Sequence, residues 1–157
     1  MLVPEPEVAR RLERFQAAAR QAGIKLTHQR LEIFRELAST EDHPDAETIF
    51  SGVRECVPTV SLDTIYRTLW LLEGLGLIAT LGPRRERARF DANTNSHHHF
   101  ICENCGLVRD FEHEEFDTLG VPPEVERLGS VSRVSVEVRG KCRECAGARR
   151  RREGSGA

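Results

Sequence analysis

Residues 61–90 read SLDTIYRTLWLLEGLGLIATLGPRRERARF. Ser61 stands where an N-cap opens a helix, and Leu62, Ile65, Leu69 and Leu72 then fall on one face of it. That leaves Asp63, Thr64, Arg67 and Trp70 pointing elsewhere, with Tyr66 at the margin. After the helix, the apolar run Leu77 to Leu81 and the short run Ala88 to Phe90 flank G-P-R-R-E-R, the pattern of a hairpin with an arginine-rich tip. An amphipathic helix followed by a basic hairpin is a winged helix-turn-helix signature. It would put Thr64, Tyr66 and Arg67 where side chains reach base edges and sugars, and Arg84, Arg85 and Arg87 where a wing meets the phosphate backbone.

Working back from residue 61, three more helices are expected. Val8, Leu12, Phe15, Ala19 and Ala22 recur at spacings of four and three, and Gly23 stands where a left-handed cap would end the run. Thr27 reads as the N-cap of a second helix that carries Leu31, Phe34 and Leu37 inward. Asp45 reads as the cap of a third, with a stripe of Ala46, Ile49, Phe50 and Val53. Cys56, beside Val57 and Pro58, reads as a small packed hydrophobe.

Working forward, the composition changes after Phe90. The polar link D-A-N-T-N-S over 91–96 marks a boundary, with a hinge at about residues 91–95. The expected organisation is α+β: a winged helix-turn-helix domain over residues 1–91, a small α/β domain over 96–146, and a basic, disordered tail over 147–157. Within the second domain a helical turn is expected in Glu112 to Gly120, a break at Pro122 and Pro123, and a strand by alternation over Ser130 to Val138.

That second domain opens with S-H-H-H-F-I-C-E-N-C-G-L-V-R-D, residues 96–110. Imidazoles and thiols interleaved with apolar residues in a strand, turn, strand pattern point to metal chemistry on a hairpin. Cys102 and Cys105 form one C-x-x-C pair, and Cys142 and Cys145 form another directly after the last strand. Four thiolates at two knuckles suit zinc in a closed, structural site. A rubredoxin-like iron centre or a thiol redox switch would use the same residues. His97 and His99, two apart on a strand, share a side. Joined by carboxylates they make a nitrogen and oxygen site suited to iron(II), manganese(II) or a second zinc. His28, His98 and His113 read as surface or hinge residues.

Composition narrows the function classes. Hydrophobic residues make up 39% and charged residues 31% of 157, with a formal net charge of -2. This is a folded chain whose nucleic-acid contacts must come from a local basic surface. No stretch has the length and apolarity to cross a bilayer. A cytoplasmic location is expected, where paired cysteines hold metal more often than disulfides. No membrane partner and no small organic substrate are expected.

T-H-Q-R at 27–30, H-P at 43–44, S-L-D-T-I-Y-R-T-L at 61–69, R-F-D at 89–91, H-H-H-F-I-C-E-N-C-G at 97–106 and C-R-E-C at 142–145, taken together, resemble the ferric uptake regulator (Fur) family. The resemblance runs in order from about Gly23 to Cys145. It implies a homodimeric, metal-dependent repressor of double-stranded operator DNA, not an enzyme, whose C-terminal domain dimerises. It also implies structural zinc at Cys102, Cys105, Cys142 and Cys145, and a regulatory Fe(II) or Mn(II) held by His43, Asp91, His97, His99 and Asp110. Because the peroxide-responsive (PerR-like) branch carries aspartate where iron-uptake members carry glutamate, Asp110 favours that branch, with His43 and His97 as the residues that peroxide would oxidise. The alternatives are an iron- or zinc-responsive uptake regulator on the same fold and, outside transcription, a metallochaperone or thiol redox carrier. Two departures stand out: T-H-Q-R in place of the commoner T-P-Q-R, and Asp63 in place of a small residue. The strand before Cys142 also lacks a histidine that many relatives carry, which leaves no clear third metal site.

Overall fold

The computed structural model describes residues 2–81, 88–131 and 134–147. The chain divides into two compact units, Met1–Thr94 and Asn95–Ala157.

The first unit is four helices and a two-stranded sheet: α1 (Glu5–Gln21), α2 (His28–Ala38), α3 (Ala46–Cys56), α4 (Leu62–Gly74), β1 (Ala79–Leu81) and β2 (Arg89–Asp91). Local chemistry sets the ends of the helices. Thr27, Asp45 and Ser61 each accept a hydrogen bond from the backbone N–H three residues on, the N-cap geometry that satisfies a free helical donor. Glycine at 23, with φ +65°, closes α1: its N–H bonds to the Arg20 carbonyl, and Ile24 N–H to that of Ala19.

The expected stripes meet in one core. Val8, Leu12, Phe15 and Ala19 of α1 lie buried with Phe34 and Leu37 of α2, Ile49 and Val53 of α3, and Ile65, Leu69 and Leu72 of α4. Phe15 and Phe34 pack with ring centroids 5.0 Å apart. Each such side chain contributes roughly 1.5–3 kcal/mol of burial, so the stripes suffice to hold the helices together. Strands β1 and β2 pair antiparallel, Thr80 opposite Phe90, and Phe90 closes the core from the sheet side.

Some details differ from expectation. Ala22 is exposed, because α1 ends at Gln21 before another turn can bring it inward. Ile33 and Ala38 are buried in α2, whereas Leu31 is only half-buried. Cys56 is exposed and not packed. It ends α3, and the next residue, Val57, takes the buried place. The arginine-rich turn expected at Arg84, Arg85 and Arg87 lies outside the described residues.

The second unit is a three-stranded sheet in the order β4-β3-β5, with β3 (His98–Cys102), β4 (Val108–Phe111) and β5 (Glu137–Gly140). The β3–β4 pair is antiparallel across the C-x-x-C turn, where Gly106 takes φ +71°. β5 runs parallel to β3, so the chain between must cross over, and it does so through α5 (Glu114–Asp117) and α6 (Pro123–Glu126). The expected break at the two prolines is instead the start of a short helix, with Pro123 at its first position, where a missing N–H costs nothing. Of the strand expected over residues 130–138, the described part enters β5 at Glu137, and residues 132 and 133 lie outside the described residues. Alternation marks a chain that can be a strand, but the ladder forms only where β3 offers a free edge.

Candidate metal centres and nucleic-acid surface

The β3–β4 turn and the residues after β5 bring Cys102, Cys105, Cys142 and Cys145 together, with all four sulfurs within 4.8 Å of one another. A metal–sulfur bond of about 2.3 Å in a tetrahedron puts neighbouring sulfurs roughly 3.8 Å apart. Cys105 and Cys142 stand at 3.8 Å. The donor set therefore fits zinc in kind and in approximate spacing. Backbone and amide donors already face the sulfurs: Cys142 N–H donates to Cys102 Sγ at 3.3 Å, and Asn104 Nδ2 to Cys145 Sγ at 3.2 Å. Backbone N–H groups of Cys142 and then Cys105 hold the Cys102 thiol down to about 6 against the opposing pull of burial. Cys145 goes the other way. Its Asn104 donor favours the thiolate, but the crowding sulfurs of Cys142, Cys105 and Cys102, with burial, push it up to about 12. Four sulfurs this close cannot all be anions unless a cation balances them.

The sheet unit also holds His97, His99 and Asp110. His99 and Asp110 are cross-strand partners, and His97 precedes β3 by one residue. The Nε2 atoms of His97 and His99 lie 2.9 Å apart, and Asp110 Oδ1 is 3.7 Å from the first and 3.5 Å from the second. His97 Nδ1 is 2.8 Å from the Asn95 carbonyl. A carbonyl only accepts, so Nδ1 carries the proton and Nε2 is left as a lone pair. That tautomer is the one a metal-binding imidazole needs. Two nitrogens and a carboxylate converging on one point form a hard, partial ligand set.

In the helical unit, His43 Nε2 lies 3.9 Å from Asp91 Oδ1. Asp91 Oδ1 also accepts the Asn93 N–H at 2.7 Å, which fixes the direction of the carboxylate. The other histidines divide. His28 is exposed at the start of α2, and His113 is exposed beside the Phe116 ring. His98 is no surface residue: it is buried, packed against Phe111 and Phe116, and its Nδ1 accepts the Val136 N–H at 3.2 Å. Its alternation with His97 and His99 gave the side but not the cover that α5 supplies there.

On α4, Tyr66 and Arg67 are exposed, and Arg67 Nε donates to Asp63 Oδ2 at 2.9 Å. Thr64 is half-buried, its hydroxyl 2.9 Å from that of Ser61. Trp70, 63% exposed, lies beside Tyr66 at 6.0 Å between centroids and extends the same face. Its helical position pointed outward, but a tryptophan there was not counted among the contact residues.

The ferric uptake regulator family model matches residues 21–135. The chain belongs to the ferric uptake regulator family. This family regulates transcription in response to metal. Among its relatives, the peroxide-responsive repressor PerR of Staphylococcus aureus strain Mu50 is 35% identical over 92% of this chain and 98% of that protein. The fold is also that of Fur-family structures. The Helicobacter pylori ferric uptake regulator, described as having three functional metal-binding sites, matches with TM-score 0.66 at 24% identity, covering 88% of this chain and 93% of that one. A Campylobacter jejuni peroxide stress regulator matches with TM-score 0.60 at 23% identity, covering 85% and 98%. Among the described residues no helix is long and apolar enough to cross a membrane.

Proposed function

We propose that this Fur-family chain is a homodimeric repressor that binds double-stranded operator DNA and releases it when peroxide oxidises its regulatory metal site. The observation that carries the reading is Asp110, placed beside the Nε2 atoms of His97 and His99, in a chain 35% identical to a peroxide-responsive repressor. Zinc belongs at Cys102, Cys105, Cys142 and Cys145, whose spacing fits it. His43, Asp91, His97, His99 and Asp110 form the regulatory set, which takes Fe(II) or Mn(II) as a site of imidazole and carboxylate donors should. Iron(II) held by these residues would supply the reducing equivalent that peroxide requires. The imidazoles of His43 and His97 are the oxidisable groups of the set, and either would gain one oxygen atom derived from peroxide. An oxidised imidazole is a poorer donor, so metal affinity falls, and the state that holds the operator loses the ligand that favours it.

The exposed face of α4 supports DNA contact: Tyr66 and Arg67 read bases or sugars, with Thr64 at the helix start, while Arg84, Arg85 and Arg87 neutralise phosphates. The exposed apolar residues Leu119, Val125, Leu128, Val131, Val134 and Val138 support the dimer, because all of them lie in the sheet unit.

A gel shift of the full chain on its own promoter region, run with Mn(II), Fe(II) or Zn(II) and then with brief peroxide, tests the reading. The Fe(II) form should lose the operator, with one added oxygen on a peptide containing His43 or His97, while the Mn(II) form keeps it. An Fe(II) form that retains the operator, with no added oxygen on either peptide, would leave a regulator of metal uptake alone.

A further inference from the structure

His43 is the one non-glycine residue with positive φ among those described, at +50°. A β-carbon makes that region costly. The following residue, Pro44, adds a second restriction, since it pushes its predecessor towards extended backbone. Such a conformation persists only where its surroundings hold it.

Strand β2 does the holding. Phe90 N–H donates to the Pro44 carbonyl at 3.1 Å, and Asp45 forms an isolated antiparallel bridge with Arg89. A further contact comes from a side chain: Arg89 Nη1 donates to the His43 carbonyl at 3.1 Å, across 46 residues of sequence. Arg89 and Asp91 are two apart on β2 and so share a face. One strand face thus presents both the carboxylate that stands beside the His43 imidazole and the guanidinium that grips the His43 backbone.

We infer that Arg89 is a positioning residue of the metal site: by holding the His43 carbonyl it keeps a strained backbone in the one conformation that aims the imidazole at Asp91. Without that donor the loop regains its extended conformers, and the metal must bear the cost of selecting one of them. The arginine touches no ligand atom. Its effect appears as affinity and ligand geometry, in the way that partners behind a ligand ordinarily act.

The inference rests on His43 and Asp91 being ligands, and the test separates the two. Full-length protein with its zinc in place is titrated with Mn(II), free Mn(II) being followed by electron paramagnetic resonance, and the Co(II) form is examined by its d–d spectrum. Arg89→Met keeps the apolar stem and removes the donor. It should weaken Mn(II) binding about tenfold or more and shift the Co(II) bands, with zinc content and helical circular dichroism unchanged. A merely structural role would lower the melting temperature and leave Mn(II) affinity and the Co(II) bands at parent values, which would overturn the inference. His43→Ala, run alongside, should abolish tight Mn(II) binding. If it binds like the parent, the ligand assignment falls and the role of Arg89 with it. If His43→Ala loses binding while Arg89→Met does not, only the positioning role falls. Should Arg89→Met fail to fold, Arg89→Gln, too short to reach the carbonyl, is read by the same two measurements and the same criteria.

Discussion

The two units are held together by different physics. In the helical unit every amphipathic stripe finds a partner within the same unit, and its exposed large hydrophobic residues, among those described, are Leu2, Tyr66 and Trp70. Among its described residues the sheet unit leaves six exposed: Leu119, Val125, Leu128, Val131, Val134 and Val138. Its buried hydrophobic residues, among those described, are Cys102, Val108 and Cys142, and two of those belong to the thiol quartet. A small unit that buries so little cannot offset its chain entropy by apolar contact alone. Under the proposed function, zinc and a second copy of the chain supply to the sheet unit what leucine and phenylalanine supply to the helical unit.

The strongest way to break this contrast is to remove one sulfur. Cys102→Ser should cost the protein its zinc and, with it, the sheet unit's fold and the dimer, since structural zinc supplies on the order of 10 kcal/mol. The helical unit should still melt cooperatively. Metal analysis and sedimentation decide it, and a variant that keeps a full zinc equivalent and its dimer would sink the scheme. A core substitution should do the reverse. Phe34→Ala, at a side chain 1% exposed, should destabilise the helical unit by about 3–5 kcal/mol and leave zinc content intact; parallel loss of zinc would mean the units do not stand apart. The smallest effect belongs to the surface of α1. Burial works to raise the Glu7 carboxyl, but hydrogen bonds from Arg11 and Arg10 outweigh it and hold the group below its usual 4.5. With a lowered folded-state value, its contribution is present above pH 4.5 and fades as the pH falls through and below that point. Glu7→Gln should therefore cost no more than about 0.5 kcal/mol at pH 7 and nothing in strong acid, as thermal melts at the two pH values would record.

What the sequence reveals tracks how local each cause is. Caps at Thr27, Asp45 and Ser61 were legible because the hydroxyl or carboxylate and its N–H lie three residues apart. The thiol quartet was legible because each half of it is a C-x-x-C turn. The burial of His98 was not, since its cover comes from Phe116 on α5, nor was the late start of β5, which depends on the edge that β3 leaves open. The grip of Arg89 on His43 joins residues 46 apart in sequence, and R-F-D at 89–91 pointed only to the aspartate.

The parallel pairing of β5 with β3 also sets a timetable for the nascent chain. The helices of the first unit meet neighbours close in sequence and can dock while synthesis continues. The sheet cannot close until Gly140, opposite Cys102, has been made, and the last sulfur, Cys145, comes later still. During that interval Cys102 and Cys105 are a dithiol without their partners. Newly made molecules are thus open to oxidation at those two cysteines until Cys142 and Cys145 have joined them.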